Sequence, residues 1–107
     1  MVDFTLTDEQ ELLMEGIKEC LERELPDGGE SCYKTGEFPW KAWQALADNG
    51  FVGLGLPEEV GGTPCDMLTL AMANLTISRY GGPVASFYSM GIPTMFDLCE
   101  FGTQEQI

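Results

Sequence analysis

The stretch Met67-Leu68-Thr69-Leu70-Ala71-Met72-Ala73-Asn74-Leu75-Thr76-Ile77-Ser78-Arg79-Tyr80 decides the fold class. Drawn as a helix, it places Met67, Leu68, Leu70, Ala71, Met72, Leu75 and Ile77 on nearly every side. A helix apolar all round belongs in the middle of a bundle. Its limits are marked on both sides. Thr63-Pro64-Cys65-Asp66 offers an N-cap, a proline at the first helical position and an acid at the third. Gly81-Gly82-Pro83 stops the helix after Tyr80.

Working outward toward the N-terminus, Thr7-Asp8-Glu9-Gln10 has the form of a capping box. Leu6 stands where a hydrophobic staple would pack on Glu11 or Leu12. Leu13, Ile17, Cys20 and Leu21 then recur at helical spacing, with Glu11, Glu15, Lys18, Glu19 and Glu22 between them. A helix from Asp8 to Glu24 follows, closed by Pro26. Pro26-Asp27-Gly28-Gly29-Glu30-Ser31 reads as a polar connector. A second helix is predicted from about Pro39, at its first position, to Asp48, with Trp40, Trp43, Leu46 and Ala47 on one face and Asn49-Gly50 as its stop. Phe51-Val52-Gly53-Leu54-Gly55-Leu56 has strand-like composition, but its glycines and the lack of a partner strand point to an extended buried connector. Pro57 to Gly62 is a tight turn.

Toward the C-terminus two shorter helices are expected, Val84 to Met90 and Pro93 to Phe101, separated by Gly91. Gly102 ends the second, and Thr103-Gln104-Glu105-Gln106 repeats the capping-box pattern. A domain rarely finishes on a helix start, so the chain is expected to be a piece of a longer protein. No internal repeat is present. The fold class is all-α.

The bulk composition narrows the chemistry. With 107 residues, 44% of them apolar, the chain fits one domain with its own core. No apolar run reaches the roughly 18 residues of a membrane span. Met1-Val2-Asp3-Phe4 carries no basic, signal-like character, so a cytoplasmic location is expected. Against 18 acids stand five Lys and Arg, a net charge of −13, which argues against nucleic acid and anionic membrane as partners. Ten of the 18 acids lie within residues 1–30, a solvated and solubilising end.

Histidine is absent, so a serine or cysteine nucleophile with a histidine base cannot be built from these residues. Cys20, Cys32, Cys65 and Cys99 form no C-x-x-C pair, which leaves no zinc site of familiar spacing, and none of the four is expected in a disulfide. Cys20 and Cys99 read as buried small hydrophobes. Glu58-Glu59 is an adjacent pair in a turn and cannot converge on one substrate bond, so a structural turn is the better account. Asn74-Leu75-Thr76 matches a glycosylation sequon, accidental within a buried helix. The six Met and two Trp at helical spacing read as core.

Six motifs in order carry a resemblance: Leu6-Thr7-Asp8-Glu9-Gln10; Glu37-Phe38-Pro39 with Trp43-Gln44-Ala45-Leu46-Ala47; Gly50-Phe51-Val52-Gly53; Leu56-Pro57-Glu58-Glu59-Val60-Gly61-Gly62; Ser78-Arg79-Tyr80-Gly81; and Phe101-Gly102-Thr103-Gln104-Glu105-Gln106. Together they resemble the N-terminal helical domain of the acyl-CoA dehydrogenases. Asp3-Phe4, Asp8 to Leu12 and Gly102 to Ile107 are similar to the crotonobetainyl-CoA reductase-like members, which reduce an enoyl-CoA. The chain departs from the family at Leu75-Thr76, where a glutamate pair is usual.

The resemblance implies that residues 1–107 are followed in the whole protein by a middle β-domain and a C-terminal helical domain. It implies a homotetrameric, FAD-dependent oxidoreductase of fatty acid metabolism that acts on acyl-CoA, removing an α-proton and passing a β-hydride to the flavin. Electron-transfer flavoprotein is the implied partner. The base and the main flavin site fall outside these residues, so no catalytic, cofactor-binding or metal residue is assigned here, and the chain alone is expected to be inactive. The family's acyl-pocket wall maps onto Phe87, Tyr88, Ser89 and Met90. Bulky aromatics there would shorten an acyl tunnel, a hydroxyl of Tyr88 or Ser89 would suit a polar tail, and Phe87 and Tyr88 equally suit simple packing between helices. The other readings are an enoyl-CoA reductase of the same fold and a free-standing helical interaction module.

Overall fold

The computed structural model describes Asp3 and residues 5–107. Five α-helices follow in order: α1 Asp8–Glu24, α2 Glu30–Thr35, α3 Trp40–Asp48, α4 Met67–Tyr80 and α5 Pro83–Phe101, with a 3₁₀ turn at Glu58–Val60. Among the described residues the only β pairing is an isolated bridge between Leu54 and Thr63. The fold is all-α. Of the opening residues used in the reading above, Met1, Val2 and Phe4 lie outside the described residues.

Helix α1 has the predicted bounds because its capping box forms. The Gln10 amide N–H donates to Thr7 Oγ1 at 3.2 Å, and Thr7 N–H donates to Gln10 Oε1 at 2.8 Å. The same Gln10 side chain donates from Nε2 to Thr69 Oγ1 at 2.8 Å, so the cap of α1 also fastens α1 to α4. Leu6 packs against the core rather than on Leu12, which is 73% exposed. The buried face of α1 is Met14, Ile17, Cys20 and Leu21.

Helix α1 packs on α3 and α4, and α4 packs on α5. Ile17, Leu21, Leu46, Ala73, Ile77, Val84 and Tyr88 form the most buried part of the core. Gly82 (φ +51°) makes one close crossing possible: a Cβ there would stand 2.5 Å from the Gly28 carbonyl oxygen. The Gly81-Gly82 turn therefore lies directly on the loop before α2.

Several sequence expectations are corrected. An unexpected helix, α2, begins at the end of the Pro26–Ser31 connector and takes in the residues after it; Asp27 anchors its start by accepting from Gly29 N–H at 2.9 Å and Ser31 N–H at 3.0 Å. Pro39 is the N-cap residue of α3 rather than its first helical residue. Ala42 and Leu46 are the buried face of α3, whereas Ala47 is exposed and Trp40 is 64% exposed. Residues 51–56 are buried in part, but they turn rather than extend. Asp66, not Thr63, caps α4, its carboxylate accepting from Thr69 N–H at 2.8 Å. That carboxylate is held below its usual pKa, first by the Thr69 side chain and then by this backbone bond.

Helix α4 is not sheathed on all sides. Thr69, Ala73 and Ile77 are buried, while Met67, Ala71 and Leu75 are exposed. Met67, Met90 and Trp40 are likewise outside the core, and Cys99 is half-buried rather than buried. The largest difference is α5, one continuous helix with Pro93 inside it, where two pieces were expected. Val84, Tyr88 and Ile92, spaced four apart, anchor a single face up to the proline, and Met95 and Phe96 pack on the core beyond it.

Candidate functional site: the two flanks of α5

Helix α5 separates two hollows. One is an open groove of about 740 Å³ between α3 and α5, lined by Phe38, Trp43, Phe87, Met90 and Met95 among others. The other is a pocket of about 330 Å³ between α4 and α5, lined by residues that include Leu70, Asn74, Ser89, Phe96 and Asp97. Both volumes fall in the range of, or just above the lower limit for, small-molecule sites.

The groove is almost wholly apolar in its walls. Phe87 is its centre, with ring centroids 4.9 Å from Phe38 and 4.8 Å from Trp43, the Trp43 contact edge-to-face. Trp40 stands at its margin, 6.1 Å from Phe87 and 4.6 Å from Phe38. These aromatic pairs fix the ring of Phe87 although it is half exposed. Met90, one turn further along, is 76% exposed and free to pack on whatever enters the groove.

Tyr88 and Ser89 face the other way. Consecutive helical residues lie about 100° apart, so four in a row cannot share one wall. Tyr88 is 1% exposed and donates its hydroxyl to the Phe51 carbonyl at 3.0 Å. Desolvation by burial, with a smaller contribution from Cys65, pushes its pKa up to about 12. Ser89 Oγ donates to Asn74 Oδ1 at 2.8 Å, so Asn74 of the sequon is tied into the α4–α5 contact. Both hydroxyls are thus engaged within the chain. Phe38, Trp43 and Asn74 were not singled out in the sequence as site residues; the clustering of aromatics at 38, 40 and 43 was the available signal.

Glu58 and Glu59 are exposed on the 3₁₀ turn, away from both hollows. Among the described residues no group of His, Cys, Asp and Glu could hold a metal ion, and no helix is long and apolar enough to cross a membrane.

Residues 7–107 match the family model described as acyl-CoA dehydrogenase, N-terminal domain. The chain belongs to the acyl-CoA dehydrogenase family. Its helical fold is that of the family's N-terminal domain, as the motif order implied. The probable acyl-CoA dehydrogenase YdiO of Escherichia coli (strain K12) is 37% identical over 107 residues, covering 99% of this chain and 27% of the relative. The probable acyl-CoA dehydrogenase YngJ of Bacillus subtilis (strain 168) is 30% identical over 106 residues, covering 98% of this chain and 28% of the relative. The chain therefore spans about a quarter of the length of the curated relatives it matches. No solved structure gives a significant match.

Flavin is the cofactor that acyl-CoA dehydrogenases imply, and the residues flanking α5 do not fit it. Its phosphates need cations or converging N–H donors. The five cations Lys18, Arg23, Lys34, Lys41 and Arg79 are distributed over α1 to α4, and none lines either flank of α5. The groove suits an aliphatic chain better than a dinucleotide.

Proposed function

We propose that this chain is the N-terminal helical domain of an FAD-dependent acyl-CoA dehydrogenase, and that its α3–α5 groove forms one wall of the acyl-chain site. The match of residues 7–107 to the family's N-terminal domain carries the activity. The groove carries the location: an acyl tail needs an apolar lining, and Phe87 and Met90 present one. In this reading Tyr88 and Ser89 support the wall from behind, holding α5 at the angle that turns Phe87 and Met90 outward. The flavin and the base that takes the α-proton belong to residues outside this chain. A cytoplasmic homo-oligomer that passes electrons to an electron-transfer flavoprotein completes the proposal.

Because Phe87 narrows the groove, it sets how far an acyl tail can extend. In the whole enzyme, Phe87→Ala is expected to raise the ratio of kcat/KM for long over short acyl-CoA by about tenfold. Met90→Phe is expected to lower the same ratio. The measurement is steady-state kinetics with a chain-length series. A ratio unchanged in both variants would remove the α3–α5 groove from the acyl site.

A further inference from the structure

Three weak points coincide within one turn of α5. Gly91 is, after proline, the least helix-favouring residue type, because its backbone loses the most freedom on ordering. Pro93 has no N–H to donate to the Ser89 carbonyl, four residues back. Thr94 Oγ1 donates to the Met90 carbonyl at 3.3 Å, the back-bonding that bends helices.

The two halves of the helix are also held unequally. Val84, Tyr88 and Ile92, all before Pro93, are its buried residues, and the Tyr88 hydroxyl is bonded to Phe51. Beyond Pro93, Met95, Phe96 and Cys99 are only half-buried, and Phe101 is 82% exposed. Met95 and Phe96 pack this half against the core, Met95 on the side of the α3–α5 groove and Phe96 on the side of α4. The Phe96 ring sits over Gly55, where a Cβ would approach its Cζ to 2.8 Å, and beside Leu70 of α4. The α4–α5 pocket spans the weak turn: Tyr88, Ser89 and Ile92 line it on the anchored side, Phe96 and Asp97 on the other.

We propose that α5 is hinged at Gly91–Thr94 and that its C-terminal half, latched by Phe96 on Gly55 and Leu70, is a lid on the α4–α5 pocket. Opening lifts Phe96 off Gly55 and Leu70, shifts Met95 on the core, and bends a helix already lacking a hydrogen bond, while the Val84–Tyr88–Ile92 face stays seated. The lid does not depend on which wall holds the acyl chain.

Hydrogen exchange followed by mass spectrometry on the whole protein tests this. Amides 95–101 are expected to exchange faster than amides 86–92, although both lie in one helix. Pro93→Ala restores the N–H and is expected to slow exchange at 95–101 by about tenfold, leaving 86–92 unchanged. Phe96→Ala releases the latch and is expected to speed it. Equal protection of the two halves, or a Pro93→Ala variant with unaltered exchange at 95–101, would overturn the hinge. Acyl chain-length kinetics that fail as above, with this exchange pattern intact, would leave the lid standing and displace only the acyl-wall reading.

Discussion

Tyr88 shows how much a single hydroxyl can decide. Its ring fills the core between α5 and the turn after α3, and its O–H satisfies the Phe51 carbonyl, a group that the turn leaves without a helical partner. Removing the oxygen leaves that half-buried carbonyl without its partner, so Tyr88→Phe is expected to destabilise the fold by about 1 kcal/mol, measured by denaturant unfolding. The same residue gives a pH signature. With its pKa pushed up from 10.0 to about 12, the folded chain holds the phenolic proton more tightly than the unfolded chain does. The unfolded state ionises first as pH rises, so stability is fully present below about pH 10 and is lost toward pH 12. The thiols of Cys20 and Cys65, both raised by burial, act in the same direction from a lower starting pH. Tyr88→Phe should therefore flatten the fall in stability between pH 10 and 12 while leaving the thiol contribution. An unchanged slope would mean that Tyr88 does not titrate in this window.

Helix α1 is held by a cap whose two partners are local and whose third reaches across the fold. Thr7→Ala removes the acceptor for the Gln10 N–H and is expected to cost about 1 kcal/mol, with a lower Tm by circular dichroism. Gln10→Ala also breaks the bond to Thr69, so it should cost more than Thr7→Ala; an equal or smaller loss would show the α1–α4 tie to be weak. Such a cap is why the start of α1 could be read from residue types alone: the signal is contained in four consecutive residues. Helix α5 could not be read that way. Proline inside a helix costs about 3 kcal/mol, and that local rule favours two pieces. Burial of Ile92 in the gap expected between them, worth about 1.5–3 kcal/mol, with Met95 and Phe96 packed on the core beyond the proline, offsets it, and this gain depends on the rest of the fold being in place. Helix α2 gave no apolar period to find in six residues, and its anchor, Asp27, looks in sequence like any turn residue. The site was legible to the same degree. Family motifs led to residues 87–90, but the side each one faces follows from the rotation of α5. Only the 84, 88, 92 spacing encodes that rotation.

At the scale of the whole molecule, the chain measures 40 × 38 × 23 Å, with a radius of gyration of 14.5 Å against about 13 Å for a compact domain of this length. A flattened shape leaves less interior to hide apolar side chains. Met67 and Leu75 on α4, Phe87 and Met90 on α5, and Trp40 on α3 remain in contact with water. In a chain whose relatives are nearly four times longer, such surface is a natural place for further packing. Opposing this is the charge: ten of the 18 acids fall within residues 1–30, on α1 and its flanks, although none of them lines the α3–α5 groove. Repulsion of that kind is screened over about 10 Å at 0.1 M salt, whereas apolar contact is not. The isolated 107-residue chain is therefore expected to self-associate through its α3–α5 side, and more strongly as salt rises. Sedimentation velocity at increasing concentration and ionic strength measures this, and Phe87→Ser with Met90→Ser is expected to reduce it. A chain that stays monomeric at high concentration in high salt would show that the exposed apolar residues are too scattered to act as one surface.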